Sequence, residues 1–116
     1  MIFTAEENSF IIEADGKKLR VSYNEFNGNH KDAMEFCKEQ GGGEETVENL
    51  RFIARYRDAI NEELKKFSRE LASIWYWTNE NTWRSGGRAF VVSTISGGVH
   101  SEDHNHNTYA RAISAL

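Results

Sequence analysis

The stretch SIWYWTNENTW, residues 73–83, decides how this chain is read. It holds all 3 tryptophans and marks the point where helical periodicity gives way to strand periodicity. Ile74 and Tyr76 alternate with Trp75 and Trp77, the period-two pattern of a strand. Both sets are large, so both faces of this strand are expected to be covered. The reading assigns Trp75, Tyr76 and Trp77 to the core and residues 79–83 to the polar turn that follows. Trp83 stands apart. Among Asn, Arg and Gly it reads either as an exposed stacking surface for a sugar or aromatic ligand or as a plug closing a loop.

Upstream, TVENLRFIARYRDAINEELKKF (46–67) carries the longest helical pattern. Thr46 is placed to cap it. Val47, Leu50, Ile53 and Ala54 follow the 3.6 period, and Ile60, Leu64 and Phe67 do so in a shifted phase. The shift near residues 56–58 predicts a break or bend. A shorter helix is expected over about residues 30–40, capped by Asn29, with Ala33, Phe36, Cys37 and Gln40 on one face and Gly41 ending it. Gly41 to Gly43 then read as a C-cap and a flexible loop. Before the helices, SFIIEA (9–14) and KLRVSY (18–23) flank Asp15-Gly16-Lys17, which predicts a β-hairpin. After the aromatic strand, RAFVVSTI (88–95) and TYARAISAL (108–116) read as further strands. Strands, then helices, then strands make an α+β pattern in one domain, 1–116, with the terminal strands expected to pair.

The formal charge is −4, so no general basic field attracts nucleic acid or anionic membrane. No apolar run is long enough to span a bilayer. MIFTAEENSF lacks the basic and apolar regions of a signal peptide. The compartment reading is therefore cytoplasmic or virion-associated, or surface-exposed if a leader was removed. One cysteine, Cys37, excludes an intramolecular disulfide and a cysteine-based zinc site, and it reads as a core residue. Proline is absent, so turns rest on Gly, Asn and Asp. No G-x-S-x-G, H-E-x-x-H or P-loop occurs.

Several segments in order resemble a family of bacterial and phage C-type-lectin-like domains. The family carries W-R-L-P-T, A-I-N, Y-W-S-S-T-E and V-R-A-V signals. Here stand Ala33 to Cys37, Thr46 to Leu50, Ala59-Ile60-Asn61, residues 76–80 (YWTNE), residues 89–92 (AFVV), Gly97-Gly98 and residues 109–113 (YARAI). GGGEET departs from W-R-L-P-T and keeps only Thr46. The resemblance implies a C-type-lectin-like fold, two to three helices packed on a mainly antiparallel sheet, related to phage tropism determinants and retroelement variable proteins. Its calcium-dependent sugar loop would need a proline that the chain lacks.

The expected function is a non-enzymatic ligand-binding or adhesion-type module without a cofactor, for a protein or carbohydrate ligand. Its loop surface is expected near residues 79–88 and 100–107, because polar loops between strands commonly carry function. Asn79, Asn81, Trp83, Arg84, Arg88 and His104 are the ligand-binding candidates. A second reading uses HSEDHNHN (100–107): His100, Glu102, His104 and His106 share one side of an extended strand and suit Zn, Ni or Cu. Its bland counterpart is a solvated hairpin loop. A third reading is a structural domain of a phage or cell-surface assembly, acting through oligomerisation.

Overall fold

A computed structural model describes residues 1–82 and 86–116. The chain is α+β, with three helices packed against a four-stranded and a five-stranded sheet. β1 (Ile2–Ala5), β2 (Ser9–Ala14) and β3 (Lys17–Ser22) form an antiparallel meander. Asp15 and Gly16 both have positive φ, 52° and 75°, the conformation of a type I′ hairpin turn. β1 and the short β4 (Phe26–Gly28) carried no separate signal in the sequence.

α1 (His30–Glu39) is capped by Asn29, whose side chain accepts from the N–H of Asp32. α2 (Val47–Arg55) is capped by Thr46, which accepts from the N–H of Asn49. α2 also receives a tertiary cap: the Glu80 carboxylate accepts from the N–H of Val47 at 2.6 Å. The predicted break falls at Tyr56, and α3 (Arg57–Leu64) follows it and runs into a 3-10 turn, Lys65–Phe67. Among the described residues no helix is long and apolar enough to cross a membrane.

β5 (Trp75–Asn81), β6 (Arg88–Ser93), β7 (Val99–Asp103) and β8 (Thr108–Ala110) build the second sheet, in the order β4-β8-β5-β6-β7. β9 (Ile113–Ala115) leaves that sheet and pairs with β3, so the first sheet runs β1-β2-β3-β9. The segment 108–116 is therefore two strands in two sheets. The pairings are antiparallel except β5 with β8. Residues 79–81 belong to β5, past a register shift, and not to a turn.

Two cores result. Phe10, Ile12, Leu19, Val21, Leu50, Ile53, Ile60, Leu64, Tyr76 and Ile113 fill the space between the first sheet, α2, α3 and one face of β5. Ala33, Cys37, Trp77, Ala89, Val91 and Ala110 fill the space under α1 on the other face. Tyr76 and Trp77 thus bury on opposite sides of one strand, as period two requires.

The glycine loop after α1 is tied down rather than flexible. Glu45 is only 2% exposed, and its carboxylate accepts from the N–H groups of Ile113 (2.7 Å) and Gly43 (2.9 Å). Its carbonyl accepts from Asn79 N–H, and Ile113 O accepts from Glu44 N–H, so the loop stitches both sheets together. A Cβ at Gly42 would meet the Glu45 carboxylate and lie 2.9 Å from the Cys37 carbonyl, which only glycine avoids.

Candidate ligand-binding site

Trp75 and Trp77 point to the same side of β5, but only Trp77 lies beneath α1. Trp77 is 0% exposed and donates from Nε1 to the Gly28 carbonyl at 3.0 Å. Trp75 sits two residues, roughly 7 Å, further along the strand. There Trp75 is 38% exposed. The expectation that all three aromatic residues are core fails at Trp75, which stands outside the cluster under α1.

Trp75 floors one end of a groove of about 460 Å³ lined also by Val91, His100, Glu102, Asn107, Thr108 and Tyr109. β6–β7 pairing sets His100 opposite Val91 and Glu102 opposite Ala89, which keeps these residues on one face. The His100 ring meets Trp75 edge-on at 5.0 Å, and Tyr109 is 38% exposed. Within the described residues the side chains of His100, Asn107, Thr108 and Tyr109 make no hydrogen bond to protein, while Glu102 pairs with His106. The groove therefore combines exposed aromatic surface with polar donors and acceptors, and among the described residues Glu102 is its single acid. A larger depression, about 660 Å³, lies between the β2–β3 turn and α2. Most of its charged groups are paired: Lys17 with Glu48 at 3.2 Å, Arg55 with Asp15 at 3.8 Å, and Glu80 on Val47, while Arg51 also lines it.

Of the residues singled out from sequence, Asn79, Asn81, Arg88 and His104 lie within the described residues, and the polar group of each is bonded to protein. Asn79 donates from Nδ2 to the Gly43 carbonyl at 2.9 Å. Asn81 Oδ1 lies 2.8 Å from His104 Nε2. Arg88 donates to the side chain and carbonyl of Ser101 at 3.1 and 2.9 Å. The N–H of His104 donates to Gly87 O at 2.7 Å, so segments 79–88 and 100–107 do meet. Trp83 and Arg84 lie outside the described residues.

The histidines occupy three separate places. His100 contacts Trp75, His106 pairs with Glu102, and His104 stacks on His30 with ring centroids 4.5 Å apart. β7 ends at Asp103, so the extended strand that would align His100, His104 and His106 is interrupted by a turn. Among the described residues no three His, Cys, Asp or Glu side chains converge as metal ligands.

His30 was not foreseen, because a helix-starting histidine looks ordinary in sequence. Its Nε2 lies 2.8 Å from the Thr78 carbonyl and its ring packs edge-on against Trp77. Burial lowers its pKa, opposed by the Thr78 bond and aided by His104. Arg111 was equally hidden. Its guanidinium bridges the sheets, donating to the carbonyls of Ser22 (3.1 Å) and Tyr23 (2.6 Å) and pairing with Glu25 at 3.2 Å. Glu25 also accepts from Tyr76 and Ser73. Burial pushes the Tyr76 hydroxyl up to about 12 and displaces Glu45 and Cys37 upward as well. None of these groups lines the groove.

No known protein family, curated protein or solved structure matches this chain.

Proposed function

We propose that this chain is a non-enzymatic binding module on a C-type-lectin-like scaffold, and that the Trp75 groove takes an uncharged, polyhydroxylated ligand, a saccharide. The observation that carries this reading is the exposed Trp75 ring set among unpartnered polar side chains. A pyranose has an apolar C–H face, which an indole plate accepts, and a rim of hydroxyls, which His100, Asn107, Thr108 and Tyr109 are placed to bond. Among the described residues the lining holds no lysine or arginine, which disfavours phosphate and sulfate esters. The residues whose protonation is displaced by burial bond inward, which favours binding over acid–base catalysis. The order of a hairpin, helices and a C-terminal strand returning to β3 supports the lectin-like scaffold.

A glycan array probed with the intact chain tests this. Neutral saccharides are expected to bind, and Trp75→Ala and Tyr109→Ala are each expected to weaken binding about tenfold or more, the size of a lost aromatic contact. Saccharide binding that survives both substitutions would refute the groove as the site, and so would an array on which no neutral glycan binds.

A further inference from the structure

One continuous segment supplies both sides of the groove, β7 beyond β6 and β8 beyond β5. It runs from His100 and Glu102 on β7, through the turn at 104–107, to Thr108 and Tyr109 on β8. This segment is fastened to the rest of the molecule at its middle by His104. The His104 N–H donates to Gly87 O, and the His104 carbonyl accepts from the N–H of His30 at 3.0 Å. That N–H is one of the donors a helix N-terminus leaves unpaired, so the turn completes the cap of α1. The two imidazole rings lie face to face, tilted by only 11°.

We propose that the stacked His30–His104 pair is an acid-sensitive latch on the groove: neutral, it holds the 104–107 turn against α1, and protonated, it lets the turn and the Asn107–Tyr109 wall move away. This rests on the groove being the ligand site.

Three features make the charged state costly here. His30 is only 8% exposed, so an imidazolium loses most of its hydration. It stands in the first turn of α1, at the positive end of the helix dipole. The His104 ring, stacked 4.5 Å away, adds an electrostatic penalty to a charge on His30. Among the described residues no carboxylate offsets this by bonding to either ring. On α1, Asp32 is exposed and turned toward Asn29. On the segment itself, Asp103 accepts from the N–H of Asn105 and Glu102 pairs with His106. β5 presents the Thr78 carbonyl, the Asn81 amide and the Trp77 edge.

The sign follows from His30. Its pKa in the fold lies below the ordinary 6.5, so the unfolded chain binds the proton more readily. The latch's contribution is complete above that ordinary value and is lost as pH falls below it, through the folded-state value. One proton coupled to release weakens groove binding by up to tenfold per pH unit over that range.

The test is an NMR titration of the ligand-free chain from pH 7.5 to 5, following the His30 and His104 ring signals and the amides of Asn105 to Tyr109. Those amides are expected to shift together with His30 protonation, with a midpoint below 6.5. In His104→Phe the stack remains but that electrostatic penalty is gone, so the midpoint is expected to rise. His30→Gln keeps a donor for Thr78 and is expected to abolish the shift. Amides of Asn107 to Tyr109 that ignore His30 protonation in the wild type overturn the latch, as does an unchanged transition in His30→Gln. The wild-type titration decides even if a variant fails to fold. Because no ligand is present, a chain that binds no saccharide at pH 7.5 would refute the groove reading while the latch is judged separately.

Discussion

Trp75 and Trp77 are the same residue type on the same side of the same strand, yet their environments differ because Trp77 lies in the cluster under α1 and Trp75 stands outside it. Substitution separates the two roles. Trp77→Ala removes a fully buried indole and its bond to Gly28, and is expected to cost about 3 kcal/mol or more in urea unfolding. Trp75→Ala is expected to move the unfolding midpoint less than Trp77→Ala does while saccharide binding weakens, because its ring is already part-solvated. Arg111 is decided by what surrounds it. Arg111→Met leaves the carbonyls of Ser22 and Tyr23 without their donor and Glu25 without its cation, and is expected to destabilise by about 3 kcal/mol, read by the same unfolding curves. Glu45 carries a pH signature. Burial raises its folded pKa, so its contribution is complete below the ordinary 4.5 and is lost as pH rises through the folded value. Glu45→Gln keeps an oxygen for Ile113 and Gly43 and is expected to flatten the fall in stability above pH 4.5, measured by unfolding at pH 4.5 and 7.5.

At the scale of elements, local chemistry sets the helices. Asn29 and Thr46 accept the N–H bonds that start α1 and α2, and Tyr56 lies where the apolar stripe changes phase. Thr46→Ala is expected to cost about 1 kcal/mol, visible as a lower thermal midpoint. These features were legible because capping and 3.6-residue periodicity depend only on neighbours in the chain. The hairpin at Asp15-Gly16 was legible for the same reason: its two positive φ angles need residues that tolerate them. The strands were read less well. Residues 108–116 alternate without a break, yet the chain changes sheets at Arg111-Ala112 because Arg111 turns inward to Glu25 and Ser22. Asn79 and Asn81 looked like turn residues, but β5 carries them because their amides bond to Gly43 and His104.

At the scale of the molecule, β9 joins the last residues to the first hairpin and closes the larger core over Leu19 and Val21. Deleting residues 113–116 removes Ile113, the ladder to β3 and the N–H that holds Glu45. The truncated chain is expected to lose its near-ultraviolet dichroism, the signature of fixed aromatic packing. The groove is also a property of the whole molecule. Trp75, His100 and Tyr109 come from three strands and meet only after the five-stranded sheet has assembled. The sequence by itself determined the α+β class, the caps, the helix break and the first hairpin, because each depends on residues a few positions apart. Tertiary structure alone decided which face of each strand is roofed, which histidine finds a partner, and that Trp75 is left part-exposed among unpartnered polar side chains. Those outcomes turn on which part of a sheet a ten-residue helix covers, and neighbours in sequence carry no record of that contact.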